Sequence, residues 1–426
     1  MNLSGKTILV TGGLGHIGSY IIEEICRNFT GCKIICYDNN YNGNINNLYA
    51  SKLLSVENNH TIVYNDGDIR NFDDLHNCFS VYGPHVVFHE ASMLTLDSKS
   101  QKIKATEVGV MGSTYIFQLA KKYKVEKVVY ASSASVYGNP QYVPTDEDCP
   151  KSCSLMYGAH KIAVESIAES YIKEEGVNIV GLRYFNVYGP RQSTSNVYTQ
   201  IVAKWMNEIT NDQKVQIYGD GSQTMDMIYG SDIGKLNIQA LEAPSGFYNI
   251  GTGIQTSVKY LLDIMIKEIR PQSPNDVDIE YIDHDPALVK ERCADVVKMH
   301  RWIGKHTISV EEGIKKVVEA KLDLRQADLK ELELSMSAIV MEAKSNDKWT
   351  SRARPSFMYV FYVIILLAIP VAVVGVFSPE SAISFTTGLN AFWGSIPESM
   401  WALFGTGYLG YVGGRSYDKR NILKGK

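Results

Sequence analysis

The sequence predicts an α/β chain: a doubly wound parallel sheet with a smaller C-terminal lobe, followed by an α-helical membrane hairpin. Three observations lead there. From Lys6 to about Gly189, short apolar runs alternate with amphipathic stretches, the pattern of βα units building a parallel sheet. A glycine-rich turn follows the first run directly. Between Pro355 and Gly414 only Glu380 and Glu398 carry charge, where the chain average of 21% would place about a dozen charged residues.

The buried-strand candidates are Thr7 to Val10, Lys33 to Tyr37, Thr61 to Tyr64, Val86 to His89, Lys127 to Ala131 and Ile179 to Arg183. Each is too short for a helix and is bounded by Gly, Asp, Asn or Pro. Helical candidates between them include Ile17 to Cys26 and Tyr157 to Lys173. Beyond Gly189 the regularity weakens as Pro, Gly, Asp and Tyr accumulate, which predicts a lobe assembled on the strand ends. The expected boundaries are 1–189 for a dinucleotide-binding domain and 190–323 for an interleaved substrate lobe. A connector follows over 324–354 and a membrane region over 355–426.

Leu329, Leu332, Met336, Ile339, Val340 and Ala343 share one helical stripe, so the connector begins as an amphipathic helix. Phe357 to Phe377 is an uncharged apolar run of 21 residues, about 31 Å long as a helix and sufficient for a bilayer core. Lys348, Arg352 and Arg354 precede it, and Arg415, Lys419, Arg420, Lys424 and Lys426 close the chain. Basic residues at both ends place both ends in the cytoplasm and favour an even number of crossings. The expectation is a two-span hairpin, with Ala382 to Pro397 interfacial or re-entrant. Trp349, Trp393 and Trp401 fall where an aromatic belt would lie.

The formal charge of -4 resolves into -6 for residues 1–325 and +2 for 326–426. It carries no basic excess of the kind a nucleic-acid partner requires. Seven scattered cysteines show no CxxC pairing and read as reduced thiols of a cytosolic domain. No His pair has metal-ligand spacing, so no metal is expected. Met1 to Gly5 lacks a basic leader and runs into a strand, so no signal peptide is read there.

The first strand runs into Thr11-Gly12-Gly13-Leu14-Gly15-His16-Ile17-Gly18. Gly13, Gly15 and Gly18 satisfy the dinucleotide fingerprint, with Gly12 as an additional glycine of the turn. Glycine is required because a Cβ would hold the backbone away from a pyrophosphate, which rests on the amides and positive dipole of the following helix. Asp38 ends the second strand, 20 residues after Gly18. A carboxylate there accepts ribose hydroxyls and repels a 2'-phosphate, so NAD is expected rather than NADP in a Rossmann-type domain. His16 and Ile17 belong to the turn, and Asp68 and Ile69 after the third strand are expected near the adenine.

Tyr157 and Lys161 stand one helical turn apart and share a face. An ammonium and a cationic nicotinamide beside a phenol favour the phenolate, which equips Tyr157 to move the proton of a sugar hydroxyl. Ser133, ending the preceding strand, would share a hydrogen bond with the same oxygen.

These segments, with Tyr130-Ala131-Ser132-Ser133-Ala134-Ser135-Val136-Tyr137-Gly138 and Leu182-Arg183-Tyr184-Phe185-Asn186-Val187-Tyr188-Gly189-Pro190-Arg191, resemble the extended short-chain dehydrogenase/reductases. Within them the chain is most similar to nucleotide-sugar 4-epimerases, over about residues 4–320. The resemblance implies a catalytic triad of Ser133, Tyr157 and Lys161, tightly held NAD, Asn186 near the sugar diphosphate, and a homodimer through the Rossmann domain. It implies C4 inversion of a nucleotide-sugar: hydride leaves C4, the 4-keto sugar turns, and hydride returns to the other face. Ala134-Ser135 stands where related dehydratases carry an Asp-Glu pair, which disfavours dehydration. Four positions depart from the pattern. Gly109 replaces an Asn, Met225 an Arg, Gly230 an apolar residue, and Glu90 an apolar or neutral one. Lys290 and Arg292 are candidate replacements for the lost Arg, with Arg292 the chosen substrate residue. His16 and His89, without a second ligand at metal spacing, are read as structural or cofactor-adjacent, and His160 stands where Ser is common, a position open to a tuning role.

The tail, over about residues 328–420, resembles the three-span holins of phages and gene-transfer agents, through Trp349 to Pro355 and Leu409 to Ser416. This implies contact with membrane lipid and self-association, with Gly405, Gly407, Gly410 and Gly413 suited to close helix contact. The expected location is a membrane, with the catalytic domain on its cytoplasmic side. Two alternatives stand beside the epimerase reading: a 4-keto-sugar reductase using NAD(P)H, and a lysis protein carrying an epimerase-like passenger.

Overall fold

The six apolar runs form six of the seven strands of the main sheet in a computed structural model, which describes residues 1–153, 155–192, 201–283 and 289–323, together with Lys330. They are β1 (Thr7–Thr11), β2 (Lys33–Asp38), β3 (Thr61–Asp66), β4 (Val86–His89), β5 (Lys127–Ser133) and β6 (Ile179–Tyr184). The later strands are β7 (Asn186–Tyr188), β8 (Val215–Tyr218), β9 (Thr224–Tyr229), β10 (Gly246–Ile250), β11 (Gln255–Ser257) and β12 (Ile279–Ile282). By internal packing the chain divides into Met1–Lys321 and Leu322–Lys426, and the described architecture belongs to the first unit.

Seven parallel strands run in the order β10-β6-β5-β4-β1-β2-β3. The direction of winding reverses between β1 and β4, and the crevice beyond the strand ends at such a point is where α/β sheets bind ligands. Burial on both faces explains why β1, β4 and β6 read as nearly unbroken apolar runs.

The helices are α1 (His16–Asn28), α2 (Tyr49–Glu57), α3 (Phe72–Tyr82), α4 (Thr95–Ser100), α5 (Lys102–Thr106) and α6 (Ser113–Lys122) in the first half. They continue as α7 (Met156–Glu175), α8 (Ile201–Thr210), α9 (Gly230–Gln239), α10 (Val258–Ile269) and α11 (Val297–Trp302). One sheet face is covered through Ile21, Ile22 and Ile25 of α1 with Ile233 and Leu236 of α9. The other carries Leu75 and Phe79 of α3, Ile116 and Phe117 of α6, and Val164 and Ala168 of α7. Because β10 and α9 return to the large sheet after β8 and β9, the smaller lobe is woven into it. The lobe has its own apolar core around Trp205, Ile217, Leu261 and Met265, with sheets ordered β11-β9-β7 and β12-β8.

A buried charge cluster locks α7 to the sheet. Arg183 on β6 grips Glu165 through Nε (2.8 Å) and Nη2 (2.9 Å), and Ser132 Oγ donates to the same carboxylate at 2.6 Å. Burial opposes the Glu165 charge, but the Arg183 hydrogen bonds and charge outweigh it and hold the carboxyl below its usual range. Lys151 Nζ completes the cluster 2.7 Å from Glu165 Oε2, and removing Glu165 would leave the buried Arg183 guanidinium without its carboxylate.

Apart from Lys330, the connector helix, the Phe357–Phe377 run and the remainder of the expected hairpin lie outside the described residues. Among the described residues no helix is long and apolar enough to cross a membrane.

Candidate active site

The glycine turn leaves β1 and enters α1 with Gly15 as a cap residue that contributes no side-chain hydrogen bond, and with no acidic residue in the first turn. The first amides of α1 are therefore available to an anion. Gly12 has φ +70, and a Cβ on it would lie 2.7 Å from the Ala91 nitrogen. At Gly18 a Cβ would lie 2.3 Å from the Gly12 oxygen. Close approach of strand end and helix thus admits only hydrogen at both positions. At Gly13 the same atom would lie 2.6 Å from Cys36 Sγ.

Asp38 is buried at the end of β2. Leu14 N–H donates to Oδ2 at 3.0 Å and Asn40 N–H to Oδ1 at 2.8 Å. Burial raises its carboxyl above the usual range, against those two amide bonds. Two oxygens with one amide each retain acceptor capacity for a pair of ribose hydroxyls. Asp68 is tied to Asn39 (3.1 Å) and Arg70 (2.8 Å), whereas helix α3 is capped by Asn71. Ile69 is buried against Gly112, where a Cβ would meet its Cδ1 at 2.7 Å.

His16 packs edge-on against Tyr20 at 5.6 Å. Burial, then the charge of Arg191, lowers its imidazole to about 3. Its Nε2 is buried without a hydrogen-bond partner among the described residues. Gly230 makes room for this group, since a Cβ there would come within 2.4 Å of Tyr20 Cε2. The departure at position 230 is therefore matched by the bulk of Tyr20.

Tyr157 and Lys161 lie in the first turns of α7. Lys161 is nearly buried, its Nζ 5.5 Å from the Tyr157 ring centre and donating to Ala131 O at 2.7 Å. Both line a pocket with Ser92, Met93, Ser98, Ala105, Gly109 and His160. Ser133 is outside that lining. It caps the turn Ala134–Tyr137, its Oγ accepting Ser135 N–H at 3.2 Å. The turn abuts the start of α7 at Gly158, where a Cβ would lie 2.7 Å from the Ser135 oxygen.

The pocket wall at Gly109 is a wide helical turn, Glu107–Gly112, between α5 and α6. Its bracing comes from side chains to which the sequence pattern assigns no catalytic part. Thr11 Oγ1 and Ser113 Oγ hold the two ring nitrogens of His89 at 2.7 and 2.9 Å, and Ser113 donates to Gly109 O at 2.6 Å. Since the serine proton goes to that carbonyl, Nε2 of His89 donates and Nδ1 accepts. Burial, then the Lys161 charge, lowers His89 to about 3, which keeps it neutral. His160 bonds Thr106 Oγ1 at 2.9 Å and stands 3.5 Å, Cβ to Cβ, from where a side chain on Gly109 would begin.

Asn186 and Arg292 sit in the lobe rather than in the Tyr157 pocket lining. Asn186 Nδ2 donates to Asp226 O at 3.2 Å. The Asp226 carboxylate is buried under donors from Thr252, Gly253 and Ala294 at 2.7 to 3.0 Å, which pins the 290–295 segment to β9. Through Arg292 N to Thr224 O at 3.1 Å, Arg292 is set beside Met225. Burial lowers its guanidinium from the usual value, and among the described residues no carboxylate pairs with it.

The matching family model is that of the NAD dependent epimerase/dehydratase family, over residues 8–251. This chain belongs to that family. A second family model, "Holin of 3TMs, for gene-transfer release", matches residues 307–416. A putative UDP-glucose 4-epimerase of Methanocaldococcus jannaschii is 33% identical over 315 residues, covering 73% of this chain and 97% of that protein. Among solved structures, UDP-glucose 4-epimerase of Thermotoga maritima with UDP-glucose aligns with TM-score 0.68 at 28% identity, covering 75% of this chain and 99% of that one. The Thermus thermophilus UDP-glucose 4-epimerase complex with NAD aligns with TM-score 0.64 at 26% identity, covering 74% and 98%. NAD is the family's cofactor, and the glycine cradle, the uncapped α1 amides and the Asp38 carboxylate fit it.

Proposed function

We propose that this member of the family is a nucleotide-sugar 4-epimerase whose catalytic residues are Ser133, Tyr157 and Lys161. The observation that carries the reading is the Tyr157–Lys161 face opening into a pocket at the strand ends. Bound NAD would supply a reversible hydride acceptor at the sugar C4. Tyr157 Oη takes the proton of the 4-hydroxyl as that carbon is oxidised, and returns it to the same oxygen after the 4-keto sugar has turned. Lys161, fixed by Ala131, holds positive charge beside the phenol through both half-reactions. Ser133, whose Oγ accepts Ser135 N–H within its own turn, would release that contact to hydrogen-bond the sugar oxygen. Proton and hydride both return to the sugar, so no net oxidation occurs, which separates this reaction from a keto-sugar reductase. Ala134 and Ser135 offer no acid and base for dehydration. The glycine turn, with Gly12, Gly13, Gly15, His16, Ile17, Gly18, Asp38, Asp68 and Ile69, forms the cofactor side. Asn186 and Arg292 face the diphosphate.

The test is interconversion of C4 epimers of UDP-sugars by the purified full-length chain. Tyr157→Phe should lower kcat by about two to four decades while NAD is retained. Arg292→Met should raise KM by about one to two decades, the size of a lost charge-assisted phosphate contact. Stoichiometric consumption of NADH without C4 inversion would replace the epimerase with a reductase.

We further infer attachment to a membrane by the two-span hairpin, with the enzyme on the cytoplasmic side. The charge gap of Pro355 to Gly414 and the holin model support membrane attachment, and the even number of crossings rests on the basic flanks alone. The full-length chain should remain with membranes through an alkaline carbonate wash. Complete release by that wash would reduce the tail to a peripheral contact.

A further inference from the structure

Strand order determines what a bound dinucleotide must cross. β4 lies between β1, which ends in the glycine turn, and β5, which ends at Ser133 beside the Tyr157–Lys161 helix. A cofactor held at both places passes over the end of β4. The residue there is Glu90. Its N–H donates to Thr11 O at 3.0 Å, and its carbonyl carbon lies 3.0 Å from where a Cβ on Gly12 would sit, directly behind the turn. Oε1 accepts from the Tyr184 hydroxyl at 3.2 Å, and Asn237 on α9 donates to that hydroxyl at 2.9 Å. Oε2 is buried without a partner among the described residues. An orphaned carboxylate oxygen is costly in a folded interior, and the resembled family places an uncharged residue here.

We propose that Glu90 reads the redox state of the cofactor: its unpartnered carboxylate lies under the nicotinamide half of the dinucleotide and favours the oxidised, cationic ring over the neutral reduced one. This rests on the cofactor placement proposed above and goes beyond it. An epimerase resting with oxidised cofactor is ready for the next sugar, and a preference for that state promotes return of hydride to the keto sugar before it escapes. Burial pushes the Glu90 carboxyl up to about 7, while the Lys161 charge and the Tyr184 hydrogen bond act against the rise. Lys161 from α7 and Tyr184 from β6 are the ionisable groups acting on it. His89, its chain neighbour, is neutral and engaged by Thr11 and Ser113, and His16 on α1 is neutral. A carboxyl neutral below about 7 must release its proton to meet a cation. NAD+ affinity should therefore rise with pH through that value, and NADH affinity should not.

The test uses the full-length chain, stripped of co-purified cofactor, titrated calorimetrically with NAD+ and NADH at pH 6 and pH 8. Wild type should release protons on binding NAD+, detected in buffers of different ionisation enthalpy, and its NAD+ to NADH preference should be greater at pH 8. In Glu90→Gln the preference at pH 8 should fall roughly tenfold, equivalent to about 1.4 kcal/mol, and become independent of pH. Glu90→Leu, which needs no Tyr184 bond, should do the same if the Gln variant fails to fold. Either variant binding both forms with the wild-type ratio and the wild-type proton release overturns the role of Glu90 alone. Wild type binding neither form overturns it together with the cofactor-site reading.

Discussion

The cofactor side of the site is made mostly of backbone and the substrate side mostly of side chains, and the two respond differently to sequence change. At the turn, Gly12 and Gly18 are fixed by strand and helix approaching within a hydrogen's width. No compensating substitution elsewhere restores that room, because the colliding atoms are main chain. On the other side, positions that depart from the family pattern are met by exchanges of bulk. The His160 ring packs at Gly109, and on α1 Tyr20 fills the space at Gly230. The difference teaches that a backbone-built half leaves no room for a side chain at its glycines, whereas in the other half neighbouring side chains occupy the space a departure leaves.

Gly18→Ala tests the rigid half and carries the largest expected effect. The added carbon would lie 2.3 Å from the Gly12 oxygen and 2.8 Å from Gly13 Cα, so the helix start must move off the pyrophosphate site. NAD should no longer co-purify. The thermal stabilisation given by added NAD, about 2.7 kcal/mol at a hundredfold excess over Kd in an intact site, should vanish. Retention of wild-type NAD affinity would show that the turn is more compliant than its contacts imply.

The same division explains what could be read from sequence. The glycine turn, Asp38 and the Tyr157–Lys161 spacing were legible because backbone geometry demands particular residue types at fixed offsets. Strand positions were legible from apolar runs, and β4 coincides with its run from Val86 to His89. Most other strands extend one or two residues beyond theirs, through Thr11, Asp38 and Ser132–Ser133. Those added residues are polar because the C-terminal strand ends carry the site, so the apolar signal stops where function starts. The lobe strands β7 and β11, three residues each, are too short for periodicity to register. The wide turn at Glu107–Gly112 was not legible, since its bracing through Thr11, His89 and Ser113 joins positions 78 and 24 residues apart. Glu90 stood out only as a departure, and its meaning depends on which strands flank β4.

A smaller effect sharpens the comparison from the adaptable side. Gly109→Asn introduces a Cβ at ordinary contact distance, 3.5 Å from His160 Cβ, and the amide beyond it must compete with the imidazole for the same space. Overpacking of this kind costs about 1 to 3 kcal/mol. His160→Ser removes the ring and its bond to Thr106, which costs about 1 kcal/mol by itself. If the two positions are a matched pair, the double variant regains part of both losses, because the asparagine enters the space the ring has left. Denaturant unfolding of the four proteins should then give a favourable coupling of about 1 kcal/mol, with kcat recovering in parallel as the pocket wall is restored beside Tyr157. Additivity within about 0.5 kcal/mol would mean that His160 and Gly109 are independent. The substrate side would then have drifted one residue at a time, and the contrast with the glycine turn would be one of tolerance and not of compensation.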